Sequence, residues 1–255
     1  VLTSVSGDRQ IQGLIVIQDR KMPDIFASAS GPLSSRTSAG IADIIRREIL
    51  SGNLKPDQPL IERDIALELG VSRTPVREAL FVLQGQGLVE LVPRKYARIR
   101  KITYNDISQI YSLRKILEIH SAESAAKFAR SEDIVEIETA IIRQSNLTRD
   151  STAIEQSDAD LAFHAAIAAS SHSPILKTVA HQVLAFTATL RSRMKYDAAR
   201  AKLVLGQHKG ILAAIKSRDS EKAAALMSAH IESSFNYART HALAFQNPDT
   251  DKSEL

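Results

Sequence analysis

Apolar residues recur at helical spacing along most of this chain, with one short interruption of strand-like alternation. Ile41, Ala42, Ile44, Ile45 and Ile49 predict a helix over Ser38–Leu50, ended by Gly52. Asn53 to Pro59 holds two prolines and reads as a turn-rich connection. A short amphipathic run, Ile61 to Leu69, stops at Gly70, and Ser72 then caps a further helix that has Pro75 in its first turn. On that helix Val76, Leu80 and Leu83 share an apolar arc, while Arg73, Thr74 and Arg77 share the arc beside it. Helix, tight glycine turn and capped helix form the pattern of a helix-turn-helix. Gly87–Val92 and Ala97–Arg100 alternate like strands around a basic turn, Pro93 to Tyr96, and predict a wing.

From Thr103 onward the pattern is helical alone. Six helices are predicted: Tyr104–Phe128, Ile134–Thr148, Thr152–Ser170, Pro174–Lys195, Ala198–Ser217 and Ser220–Ala244. Short polar links between long helices imply an antiparallel bundle. The fold class expected is mainly α: a winged helix-turn-helix over residues 36–101, then an all-α six-helix bundle over 102–245. Residues 1–35 read as a flexible leader and 246–255 as a disordered tail. Met22, just before the Ser- and Ala-rich part of the leader, is a candidate native start.

Charge sharpens this division. The net charge is only +4, but residues 36–101 carry 12 Lys and Arg against 8 Asp and Glu, whereas residues 102–255 carry 18 against 18. The excess therefore sits in the winged segment, where a phosphate-bearing partner would be attracted. Cysteine is absent, which excludes disulfides and thiolate metal sites. No apolar run approaches the roughly 18 residues of a membrane span, so a cytoplasmic location is expected.

The strings "ERDIALELG" and "GVSRTPVREAL", the following "GLV" and the basic hairpin resemble the winged helix-turn-helix of GntR-family transcription regulators. The resemblance covers about 65 residues without a gap and is more specific than a generic helix-turn-helix. It implies DNA contacts by Arg63, Ser72, Arg73, Thr74 and Arg77, with Arg94 and Lys95 at the wing tip. Tyr96 stands near the tip, where the family usually has glycine.

Four ionisable residues of the bundle occupy apolar stripes. Asp160 and His164 are i, i+4 on one helix, in a stripe completed by Ile167. His208 interrupts Val204, Ile211 and Ile215, and His230 follows Leu226 and Met227. His208 and His230 stand eleven residues on either side of Asp219, at the turn between their helices. Equal distances from the turn of an antiparallel pair place the two at one height, so three imidazoles and a carboxylate can converge. Such a donor set suits a divalent ion, zinc first, with nickel or a similar ion as alternatives.

"YSLRKILEIHSAESAAKFA", "DLAFHAAIAASSHSPIL" and "QHKGILAAIKSRDSEKAAALMSAHI" resemble the ligand-binding domain of FCD regulators, in the smaller VanR-like group with six helices. The resemblance implies metal ligation by Asp160, His164, His208 and His230, and an Arg114 that meets the carboxylate of a small organic acid. Two residues depart from the pattern: Gln207, where a Glu often precedes the histidine, and His172, where Asn is usual. Arg114 also interrupts the stripe Ile107, Ile110, Leu117, and an i, i+4 pair with Glu118 is its plainer explanation. Arg191, Arg193 and His181 are further candidates that the sequence does not place.

The reading that joins these features is a homodimeric transcription regulator, with repression the expected sign. It would bind a palindromic double-stranded DNA operator and respond to a small carboxylate through a bound metal. One alternative is a metal-dependent hydrolase with a DNA-binding appendage, whose base would have to be His172 or His181. The other is a regulator in which the metal is purely structural.

Overall fold

The computed structural model describes residues 37–92, 96–191 and 194–242. The expected leader with Met22, the wing-tip residues Arg94 and Lys95, Arg193 and the C-terminal tail lie outside the described residues.

The N-terminal part runs α1 (Ser38–Leu50), β1 (Pro59–Leu60), α2 (Glu62–Leu69), α3 (Arg73–Gly85), β2 (Val89–Val92) and β3 (Tyr96–Ile99). Thr37 caps α1, its hydroxyl accepting from Gly40 N at 3.1 Å. Gly70 closes α2 in the left-handed region at φ 63°, a conformation that costs glycine little. Ser72 occupies the N-cap position of α3 with extended backbone, but its side chain makes no capping bond and stays exposed. The isoleucine face of α1 packs on Val76, Leu80 and Leu83 of α3 around one buried core.

The sheet has the order β1-β3-β2, all antiparallel. Sequence periodicity does not reveal β1, because a two-residue strand containing proline carries no alternation. Leu60 is its buried residue and pairs with Ala97, which anchors the wing to the helical core. Tyr96 opens β3 opposite Val92 and is not among the described residues with positive φ, so the substitution for glycine imposes no left-handed strain there.

The C-terminal part is helical: α4 (Tyr104–Phe128), α5 (Ser131–Ser145), α6 (Ala153–Ala169), α7 (Pro174–Arg191), α8 (Ala198–Lys216) and α9 (Ser220–Ala242). Thr103 and Asp106 form a capping box that starts α4, and Thr152 and Glu155 repeat it for α6. α5 begins three residues earlier than its apolar periodicity suggests, because the Asp133 carboxylate accepts from Arg130 N at 2.7 Å and stabilises the first turn. α7 ends at Arg191, short of the expected Lys195. α4 lies along α9, and these two pack with α6, α7 and α8 around a second core that includes Phe163, Ile167, Ile211 and Met227. His172 sits in the turn between α6 and α7 at φ 53°. That left-handed position explains why Asn is usual there; here the His172 Nε2 is 2.8 Å from Asp133 Oδ2.

The two parts touch through α7. The Phe186 ring lies where a Cβ on Gly87 would have to go, so only glycine fits at the entrance to β2. Arg100, just beyond β3, has its guanidinium carbon 5.5 Å from the centroid of the same ring.

Candidate metal centre and nucleic-acid interface

Asp160 and His164 from α6, His208 from α8 and His230 from α9 are all buried, and each offers a ligand atom within 4.8 Å of the others. His208 Nε2 and His230 Nε2 are 3.3 Å apart, and so are His230 Nε2 and His164 Nε2. Asp160 completes the ring, with Oδ1 3.8 Å from His208 Nε2 and Oδ2 3.9 Å from His164 Nε2.

The outer face of each imidazole fixes what the inner face can do. His208 Nδ1 lies 2.7 Å from Gln144 Oε1, and His230 Nδ1 lies 2.9 Å from Gln207 Oε1. His164 Nδ1 meets the Glu118 carboxylate directly, and a carboxylate can only accept. With Nδ1 of His208 and His230 donating outward, and Arg114 Nη2, which can only donate, beside His164 Nε2, the three Nε2 atoms carry lone pairs aimed at one another. Such nitrogens cannot hydrogen-bond together, whereas a cation between them resolves the conflict. Two nitrogens held at about 2.1 Å from one ion, at angles of about 90–109°, would stand roughly 3.0–3.4 Å apart, as these do. Asp160 Oδ1 is buried and has no hydrogen-bond partner, which adds a further unmet acceptor. The residues therefore fit a divalent ion.

Electrostatics agree. Burial pushes the His208 and His230 pKa values well below the ordinary imidazole range, which keeps both rings neutral and able to bind metal. Burial alone would raise Asp160, but the Arg191 guanidinium beside it overrides this and holds the carboxyl well below its usual range. Glu118 is likewise buried, yet Arg114 and His164 hold it down to about 2.

Arg114 is 1% exposed and donates from Nε to Glu118 Oε1 at 2.6 Å. The pair with Glu118 expected from the i, i+4 spacing is therefore present, and Nη2 also lies 3.3 Å from His164 Nε2, at the edge of the four-residue cluster. Arg191 enters from α7, its Nε 3.7 Å from Asp160 Oδ2 and its guanidinium carbon 3.7 Å from the Tyr196 ring centroid. The residues that sequence reasoning missed are Glu118 as a partner of His164, and Gln144 and Gln207. Gln207 is the departure from Glu noted above, and it is the acceptor that orients His230. His181 is exposed and lines a separate cleft of about 310 Å³ with Arg46, Gln86 and Leu88, away from the four ligands. His172 is held by Asp133 at the α6–α7 turn, so neither histidine adjoins the Asp160, His164, His208 and His230 cluster.

On the DNA-binding side, Ser72, Arg73, Thr74 and Arg77 are exposed at the start of α3, while Val76, Leu80 and Leu83 are buried. Arg77 donates to Glu62 from Nε at 2.9 Å and from Nη2 at 2.7 Å, and Arg73 Nη2 lies 3.6 Å from the same carboxylate. Glu62, on α2, therefore holds both arginines in one arc. Arg63 extends into solvent beside Asp64.

This combination of winged helix-turn-helix and helical bundle defines a class of transcription regulator. Residues 37–99 match the model of bacterial regulatory proteins of the gntR family, and residues 109–233 match the FCD domain. The Uxu operon transcriptional regulator of Escherichia coli K12 is 30% identical over 243 residues, covering 86% of this chain and 92% of that protein. The gluconate operon transcriptional repressor of Bacillus licheniformis is 29% identical, over 73% of this chain and 79% of that protein. The chain belongs to the GntR family, with an FCD C-terminal domain, and is a regulator rather than an enzyme. Among solved structures, E. coli McbR/YncC aligns with a TM-score of 0.68 at 21% identity, over 80% of this chain and 98% of that one. A GntR regulator from Rhodococcus sp. RHA1 aligns with a TM-score of 0.66 at 23% identity, over 79% and 96%. These two likenesses concern the fold.

Proposed function

We propose that this regulator acts in the cytoplasm as a homodimer on a palindromic operator, and that a divalent ion and a small carboxylate in the FCD chamber set its affinity for DNA. The observation that carries this reading is the convergence of three imidazoles, two of them anchored outward on glutamines, and Asp160 on one point. Asp160, His164, His208 and His230 would hold the ion, with zinc the leading candidate. The bound ion supplies a Lewis-acidic position for an oxygen donor. Arg114 Nη2, now beside His164 Nε2, would be available to donate to the acid if that nitrogen served as a metal ligand. Repression is the sign favoured, in line with the name of the Bacillus licheniformis relative.

Exposed Leu113 and Ile116 on α4 leave an apolar stripe suited to a second copy. A dimer is also what reading two operator half-sites requires. In the winged domain, Arg63, Arg73, Thr74 and Arg77 are the contacts proposed for DNA, with Ser72 beside them and the wing tip near Arg94 and Lys95 on the backbone. α7 links the two functions, since it carries Arg191 into the chamber and Phe186 onto Gly87, five residues apart. The test is operator binding by the full chain, with metal alone and with metal plus acid. The acid should shift operator affinity by about 5–150-fold. Phe186→Ala should keep acid binding and lose most of that shift. An operator affinity indifferent to metal and acid would contradict the proposal.

A further inference from the structure

Buried charge in the FCD domain gathers around the four-residue cluster. Among the described residues, four Asp, Glu, Lys or Arg side chains are buried: Arg114, Glu118, Asp160 and Arg191. All four border the same site. Arg114 pairs with Glu118, Glu118 meets His164, and Arg191 approaches Asp160. Two guanidiniums thus balance two carboxylates, and the three imidazoles are neutral when they act as ligands. A divalent ion added to this set would leave two uncompensated positive charges among buried side chains. Buried charge is tolerated only when paired, so the complete site calls for two negative charges from outside the protein.

The hydrogen-bonding groups divide the same way. Arg114 already spends Nε on Glu118 and keeps Nη2 beside the ion. Arg191 is 2% exposed, and its Nε and Nη1 have no hydrogen-bond acceptor. The hydroxyl of Tyr111 is also buried without a partner, and its ring packs 5.2 Å from the Arg114 guanidinium carbon. Asp160 Oδ2 stands 3.7 Å from Arg191 Nε, beyond hydrogen-bond reach, and would be committed to the ion as a ligand. The Tyr196 ring face packs on the guanidinium, its centroid 3.7 Å from the Arg191 guanidinium carbon.

We propose that the effector is a compact dicarboxylate: one carboxylate at the ion and Arg114, the second on Arg191 with Tyr111. This rests on the metal-bridged reading above. The ion selects for an acid, and Arg191 selects for the second acidic end. A planar guanidinium fork suits a carboxylate, which accepts two parallel N–H bonds, better than it suits a lone hydroxyl.

The test is calorimetry on the zinc-loaded full chain with succinate and butyrate, acids of equal carbon number that differ in the second carboxylate. Succinate should bind at least tenfold more tightly. Arg191→Gln should bring succinate down to the butyrate level, with zinc content and butyrate affinity measured on the same protein so that the ratio of the two acids is the readout. Arg191→Lys, which keeps the charge and loses the fork, should fall between. Equal affinities in the wild type, or a succinate preference that survives in a folded Arg191→Gln protein, would overturn the dicarboxylate assignment alone. Failure of the zinc-loaded wild type to bind either acid would overturn the metal-bridged reading and this proposal with it. The comparison of the two acids in the wild type stands even if the variants do not fold.

Discussion

His208 Nε2 and His230 Nε2 face each other at 3.3 Å, and each ring has its other nitrogen turned outward onto a glutamine oxygen. Two lone pairs held at this distance in a buried site repel, and the packing of α8 against α9 keeps them there. An ion that binds the folded state alone stabilises it by mass action, about 2.7 kcal/mol at a free concentration 100 times its Kd. Stripping the protein with a chelator should therefore lower its melting temperature, and restoring zinc should raise it again. His208→Ala should abolish the response. Scanning calorimetry with and without chelator reads this directly.

The same burial sets a pH dependence. Folding holds His208 and His230 well below their ordinary pKa, so below about 6.5 the unfolded chain takes up protons that the folded chain refuses. Stability of the metal-free protein should therefore be fully present above about pH 6.5 and fall as the pH is lowered. Glu118, held at about 2 in the folded protein, adds a second loss once the pH drops below the unfolded carboxyl value of about 4.3. Melting temperature followed from pH 8 down to 5 in chelator should decline. A flat profile would contradict neutral, buried imidazoles.

The acceptors behind the histidines are open to a separate test. Gln144→Leu or Gln207→Leu removes the oxygen that fixes the ring tautomer, and such partners typically contribute 10–100-fold in metal affinity. Gln207→Glu keeps an acceptor in place and should retain metal. Competition against a chromophoric chelator measures all three variants on one scale.

The sequence alone makes the convergence of Asp160, His164, His208 and His230 legible, and the reason is geometric. The i, i+4 spacing of Asp160 and His164, and the equal distance of His208 and His230 from Asp219, depend only on helical periodicity and one turn. The outer partners are not legible in that way. Gln144 reaches His208 from α5 and Gln207 reaches His230 from α8, and such contacts depend on helix rotation and tilt, which periodicity does not encode. Arg191 is hidden for the same reason, near the end of α7 and beside a loop. In the winged domain α1 and the start of α3 follow from caps and apolar faces. β1 does not, because two residues are too few to show a period. Glu62 was visible only as one acid in the first turn of α2, and its hold on Arg77 needs the α2–α3 crossing.

That hold shapes the DNA prediction. Arg73→Ala and Arg77→Ala should each weaken operator binding by about 1–3 kcal/mol if the lost contact is to a base edge, with little effect on random DNA. Lys95→Ala in the wing should weaken both kinds of DNA alike and flatten the salt dependence. Titrations against operator and random duplex at several salt concentrations separate these cases. Equal losses on both DNAs for the two arginine variants would contradict base reading by α3.

The central claim is that the ion is the bridge between protein and effector. Calorimetry of acid binding to the zinc-loaded wild type, the chelator-stripped wild type and His208→Ala tests it most directly. The account predicts acid binding in the first and none in the other two. Undiminished acid binding by the demetallated His208→Ala protein would contradict the claim and leave the ion a structural role.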